Sequence, residues 1–225
     1  MNKSFLLFIS LIYYLFGLML TDSIPAFDVS KLKVAKETDN IMLVIPLSYE
    51  SFSAYFYYYF KEGNEWTEIM STEARIGLNG LGKEREGDKR TPIGKFKFNS
   101  YFGIKDNPGT SLPYIKVTDS IYWNGDSNSY LYNCLVDYNN YTDFNTSESE
   151  HLIDVNPGYE YAMNMNYNEE RTPYKGAGIF LHCYTERPYT AGCVALPEED
   201  MKTVLMKANS NSVIIIDVLK NIENY

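Results

Sequence analysis

AGIFLHCYTERPYTAGCVALP, residues 177–197, holds two short apolar runs, Ala177 to His182 and Cys193 to Leu196, joined by a connection carrying Pro188 and Gly192. The simplest geometry for two such runs is a β-hairpin. Neighbouring strands lie about 4.8 Å apart, so a hairpin brings the last residue of the first run, His182, beside the first of the second, Cys193. A free thiol of pKa about 8.5 is only partly ionised at neutral pH, and an adjacent imidazole that takes its proton converts it into a nucleophile. Gly192 lets the chain turn sharply before the cysteine, which offers the amides of Gly192 and Cys193 as an oxyanion hole. With no carboxylate in evidence to orient the imidazole, a backbone carbonyl is the alternative, that of Cys183 being nearest in sequence. Arg187 supplies a cation for a substrate carboxylate or for lowering the thiol pKa. Taken alone, a cysteine after a glycine is weak evidence, and a buried structural cysteine is the better reading of it.

Outward from this stretch the chain is punctuated as a β protein. Ile41 to Leu47 is a short apolar run, and Ser53 to Phe60 is dense in aromatics of high β preference. Gly63-Asn64 sits between that strand and Trp66 to Met70, which predicts a hairpin. Ile76 to Asp88 concentrates glycine and charge and reads as a rim loop, and Thr91-Pro92-Ile93-Gly94 leads into a strand at Lys95 to Phe98. Tyr114 to Thr118, Tyr130 to Val136, Tyr159 to Tyr167 and Val213 to Val218 complete the predicted strands, with a turn at Asn124-Gly125-Asp126 and an irregular polar stretch from Asp137 to Glu150. Pro197-Glu198-Glu199-Asp200 suits a helix first turn, and Met201, Val204 and Leu205 supply its apolar face. The expected fold is mainly β and mainly antiparallel, with one or two short helices.

These motifs resemble the L,D-transpeptidase catalytic domain (YkuD-like) family. Its hallmark is a histidine at a strand end followed by Ser/Thr-His-Gly-Cys, matched here by His182 and then Thr190-Ala191-Gly192-Cys193. Upstream, IGLNGLGKEREGDKRTPIGKF over Ile76 to Phe96 is similar to the family's glycine-bearing stretch and Thr-Pro-x-Gly-x-Phe turn. The likeness extends from about Met42 to Asp217. It implies a β-sandwich-like fold, Cys193 as nucleophile, His182 as general base, and peptidoglycan stem peptides as substrate. The thiol would attack the carbonyl of the third stem residue, D-alanine would leave, and an amine of another stem would resolve the thioester as a 3-3 crosslink. Ala191 departs from the family's second histidine and Ala195 from its usual asparagine or arginine, and the spacing from His182 to Cys193 is short for the family. Tyr184 and His151 are candidate substrate contacts, with a partly buried aromatic and a satisfied surface histidine as the plainer readings.

The rest of the chain bounds the reading. Residues 1–23 begin with Lys3 and run apolar from Phe5 to Leu20, as a secretory signal peptide does, leaving residues 24–225 as a single domain. The run is shorter than the roughly 20 residues that span a bilayer, and an uncleaved anchor is the alternative. With 45% hydrophobic and 16% aromatic residues the 225-residue chain has ample core material. A net charge of -9 without basic clusters argues against nucleic-acid binding. No cofactor and no stable protein partner are implied, and two histidines with three cysteines make a poor metal set. Three cysteines are an odd number for an exported chain; Cys134 with Cys183 is one candidate disulfide, leaving Cys193 free. Asn140-Tyr141-Thr142 and Asn145-Thr146-Ser147 are glycosylation sequons, and chance sequons are the alternative.

Histidine before cysteine excludes the papain order, and the caspase signature is absent. The expected function is a secreted cysteine acyltransferase of the L,D-transpeptidase type. The alternatives are an L,D-carboxypeptidase working through the same thioester and a non-catalytic wall-binding module.

Overall fold

A computed structural model describes residues 28–225 of the protein; the predicted leader at residues 1–23 lies outside them. Strands β1 (Asn40–Ile45), β2 (Ser53–Glu62), β3 (Glu65–Arg75), β4 (Gly94–Gly103) and β5 (Tyr114–Lys116) precede a smaller group, β6 (Ile121–Asn124), β7 (Cys134–Asp137) and β8 (Glu150–His151). Then follow β9 (Ala162–Met165), β10 (Phe180–Cys183), β11 (Val194–Leu196), helix α1 (Glu198–Lys207), β12 (Val213–Ile216) and the short helix α2 (Leu219–Ile222). The large sheet runs β12-β1-β2-β3-β11-β10-β9-β4-β5, and β4 also pairs with β12. That extra pairing closes the sheet into a ring from which β5 extends. Closure removes the two long edges that an open sheet of this kind would expose. The second sheet, β7-β6-β8, covers one side of the ring.

Burial follows from the pairing. β1 and β12 run parallel, with Ile41 opposite Val213, and every residue of both strands is buried. Both faces are covered, which is why NIMLVI and VIII are continuous apolar runs. Met42, Val44, Ile214 and Ile216 fill the ring interior with Phe56, Tyr58 and the α1 residues Met201, Val204 and Leu205. Ile41, Leu43 and Ile45 face outward, under Val29, Leu32, Val34 and Ile222. β2 is covered on one face more than the other, and it alternates accordingly. It turns into β3 through Gly63 at φ 61°, a conformation that suits the first position of a two-residue hairpin turn.

The mainly β class with few helices stands, and the predicted apolar face of α1 is the buried one. The pairing is mainly antiparallel, as expected, with β1–β12, β10–β11 and β4–β5 as parallel pairs within the large sheet. Other expectations change. Tyr130 to Asn133 is a turn, and the strand there begins at Cys134, pairing with the unforeseen β6 at Ile121–Asn124. The stretch from Ala177 to Cys193 is no hairpin: β10 and β11 run parallel, with Leu181 opposite Val194 and His182 opposite Ala195. Cys134, Cys183 and Cys193 are all unpaired, so the candidate disulfide is not formed. Asn140 and Asn145 are exposed.

Candidate active site

Residues paired across parallel strands point to the same face of a sheet, and the side-chain period along each strand is two. Leu181, Cys183, Val194 and Leu196 therefore enter the ring interior together. Phe180 and Cys193 belong to the opposite face, where they pack with Phe102, Trp123, Tyr159 and Leu152 beneath the small sheet. His182 is on that outer face too, two residues beyond Phe180. The histidine and the cysteine of the predicted pair thus share one face through a parallel arrangement. Both line a cleft of about 520 Å³ whose walls include Glu150, Tyr159, Arg187 and Lys89.

A backbone carbonyl orients the imidazole, as expected. His182 Nδ1 lies 2.7 Å from the carbonyl oxygen of Cys183. An oxygen that only accepts fixes the proton of the neutral ring on Nδ1 and leaves Nε2 unprotonated. Burial brings the His182 pKa down to about 4, against hydrogen bonding with the backbone of Cys183 and Gly158. The ring edge of Tyr159 stands 5.3 Å from it, centroid to centroid.

The thiol is held by the strand next door. Cys193 Sγ accepts from the Phe180 amide at 3.3 Å and donates to the Gly178 carbonyl at 3.3 Å. Burial pushes its pKa up to about 12; the Phe180 amide and the charge of Lys83 pull the other way, while Glu150 adds to the rise. At neutral pH the pair is a thiol and a neutral imidazole. Lys83, salt-bridged to Asp88 at 3.0 Å, makes the smallest contribution to the thiol pKa, and Arg187 is not among the groups that shift it. Arg187 lines the cleft.

The loop before Cys193 is braced from several sides. Thr190 Oγ1 donates to the Cys193 carbonyl at 2.7 Å and accepts the Gly192 amide at 3.1 Å. The Gly192 amide is thereby occupied, which removes it from the predicted oxyanion pair. The Cys193 amide bonds no acceptor among the described residues and stands as the available donor. Gly192 has φ 143°, and a Cβ there would lie 2.8 Å from the Arg90 carbonyl. Ala191, where the family carries its second histidine, is exposed at the cleft wall.

Two predicted contacts lie elsewhere. Tyr184 donates its hydroxyl to the Glu73 carbonyl at 2.6 Å, its ring lies under the Arg75 guanidinium at 3.7 Å, and it does not line the cleft. His151 binds Asp154 Oδ2 at 2.9 Å and the Asp119 carbonyl at 2.7 Å, stacked on Tyr122. Burial lowers its pKa, but those two partners outweigh burial and hold it above the ordinary value. It too is outside the cleft wall.

Several supporting residues were missed. Thr91, read as a turn residue, is buried and accepts the Gly77 amide at 2.8 Å while reaching the Cys193 carbonyl at 3.4 Å. Asn133, at φ 60°, accepts the Gly178 amide at 2.9 Å and the Trp123 indole at 3.0 Å, fixing the glycine whose carbonyl receives the thiol. An asparagine is among the few residues that tolerate such a φ, the one sequence signal available. Arg75 donates to the carbonyls of Thr185 and Arg187 at 2.7 and 2.9 Å, a long-range contact with no local signature. Among the described residues no group of three or more His, Cys, Asp or Glu is arranged to hold a metal ion.

A family model for the L,D-transpeptidase catalytic domain (YkuD) matches residues 51–216. Bd1075 from Bdellovibrio bacteriovorus is similar in structure at 16% identity and TM-score 0.41, covering 86% of this chain and 55% of that one. The helical cell shape determining protein Pgp2 from Campylobacter jejuni aligns at 16% identity and TM-score 0.42, covering 80% and 48%. L,D-transpeptidase (Yku) from Stackebrandtia nassauensis aligns at 14% identity and TM-score 0.37, covering 80% and 56%. The chain spans about half the length of these solved structures. No curated protein matches it.

Proposed function

Since the chain belongs to the L,D-transpeptidase catalytic domain family, we propose that it acts on peptidoglycan stem peptides through an acyl-enzyme on Cys193. The observation that carries this reading is the same-face placement of His182 and Cys193 in one cleft. Substrate entry would draw the thiol from the Gly178 carbonyl toward Nε2 of His182. The imidazole would take the thiol proton as sulfur attacks the carbonyl of the third stem residue, then pass it to the departing D-alanine amine. The Cys193 amide would receive the developing oxyanion. Lys89 and Arg187 give an acidic protein local cations for stem carboxylates. An amine of a second stem would then resolve the thioester as a 3-3 crosslink. The reading takes residues 24–225 as the catalytic domain and requires export, which the apolar run from Phe5 to Leu20 supports.

The test is covalent capture. Intact mass spectrometry after incubation with a carbapenem should show one adduct that Cys193→Ala loses. An unmodified wild-type protein overturns the acyl-enzyme. The non-catalytic module is the second reading, favoured by the thiol's attachment to Gly178 and Phe180 instead of His182; it is supported if Cys193→Ala and wild type bind peptidoglycan alike and neither alters it. Water in place of the amine gives the carboxypeptidase, recognised by tripeptide products alone.

A further inference from the structure

A primary amine reaches a thioester as an ammonium, since its pKa is about 10.4. Turning it into an amide releases two protons. The departing sulfur of Cys193 needs one, and His182 can carry it. The other has no destination in a two-residue pair. The cleft holds a third titratable group close to that pair. Glu150 lines it with His182 and Cys193, and its Oε2 accepts the Tyr159 hydroxyl at 2.9 Å. The same Tyr159 ring stands edge-on to His182. The carboxylate is therefore tied to the wall of the imidazole through one aromatic side chain. The other acidic side chains of the cleft are placed differently: Asp154 is committed to His151, and Glu186 is exposed without a bond to any site residue.

We propose that Glu150 takes the first proton of the acceptor ammonium and so favours an amine over water as the group that resolves the thioester. The proposal rests on the acyl-enzyme reading above. The ammonium gives one proton to the Glu150 carboxylate. The freed lone pair forms the C–N bond at the thioester carbon, and the adduct gives its second N–H proton to His182. The C–S bond then breaks with its electron pair on sulfur, His182 returns its proton to the Cys193 thiolate, and Glu150 releases the first to water. A water molecule arrives neutral, and the relay through His182 alone suffices for it. Glu150 is exposed as a residue, so an acceptor can reach it, yet enough protein surrounds the carboxyl for desolvation to raise its pKa against the Tyr159 hydrogen bond. That rise strengthens it as a base.

The experiment compares wild type, Glu150→Gln and Glu150→Asp in two assays. Carbapenem adduct formation on Cys193 reads acylation and folding together. Turnover of a disaccharide tetrapeptide with Nα-acetyl-lysine as acceptor reads the ratio of transfer to hydrolysis. Glu150→Gln should still acylate, no more slowly than wild type because the carboxylate's charge no longer raises the Cys193 pKa, and should lose about a hundredfold of the transfer ratio, with partial recovery in Glu150→Asp. Normal acylation with an unchanged ratio overturns the role of Glu150. No adduct on wild-type protein overturns the acyl-enzyme reading and this proposal with it. Should Glu150→Gln lose both assays, Tyr159→Phe decides: it removes the hydroxyl that holds the carboxylate and should lower the transfer ratio, and an unchanged ratio there also counts against the proposal.

Discussion

His182 on β10 and Cys193, the residue just before the parallel strand β11, are two residues out of step, His182 opposite Ala195 and the Cys193 sulfur beside Phe180. The offset puts both on the cleft face while giving the sulfur a backbone partner at each end, the Gly178 carbonyl and the Phe180 amide. The resting site is therefore an uncharged pair, and in the proposed mechanism proton transfer to His182 accompanies attack by the sulfur.

An uncharged pair has a pH signature. With its pKa pushed up to about 12, the thiolate fraction of Cys193 should rise about tenfold per pH unit. Iodoacetamide labelling, followed at the Cys193 peptide by mass spectrometry, should climb in that way from pH 7 to 10. A rate already level at pH 7 would show a thiolate–imidazolium pair and overturn the neutral assignment.

The histidine predicts an acid limb of stability. Its folded pKa is about 4 and its unfolded value about 6.5, so between those values the unfolded chain binds the extra proton. Stability from this group is complete above pH 6.5 and is lost as the pH falls toward 4, by about 3 kcal/mol. Urea midpoints from pH 7 to 4.5 should fall more steeply for wild type than for His182→Gln. Parallel slopes would mean that the imidazole is not buried in its neutral form.

Gly192 is the narrowest point of the nucleophile loop. Alanine there meets the Arg90 carbonyl at 2.8 Å and must hold φ 143°. Gly82, also at positive φ, has open space around it and serves as the control. Gly192→Ala should cost about 1–3 kcal/mol, clearly more than Gly82→Ala, and should change Cys193 labelling. Equal midpoints for the two variants would show that the loop gives way without strain.

Local pattern carried much of this architecture. The alternation of Ala54, Phe56 and Tyr58, the turn at Gly63 and the stripe Met201, Val204 and Leu205 each report a neighbourhood of a few residues, and each lies where periodicity puts it. The direction of β11 is not such a property. Apolar runs on either side of a loop look alike whether the chain doubles back or crosses over, and here the crossover is set by distant partners, Arg75 on the loop and Ile76 and Leu78 on Thr190. The pair His182 and Cys193 could be named because the motif is contiguous. Glu150, Asn133 and Thr91 reach it from three other segments, so no spacing announces them. Tyr184 and His151 were drawn in by sequence proximity and by resemblance, and both are spent on structural bonds.

The crossover loop depends on Arg75. Its guanidinium holds two carbonyls, of Thr185 and Arg187, and covers the Tyr184 ring, a combination of planar fork and stacking that lysine cannot reproduce. Arg75→Lys and Arg75→Met should each destabilise by about 1–3 kcal/mol and speed amide exchange in the segment 184–189. Arg187→Ala keeps its own backbone carbonyl, so the loop should stay protected while the cleft loses a cation. That contrast separates ordering of the loop from charge in the cleft. If exchange in Arg75→Met matches wild type, the two carbonyl contacts do not order the crossover, and the loop must be held by its other bonds, among them those of Tyr184 and Thr190.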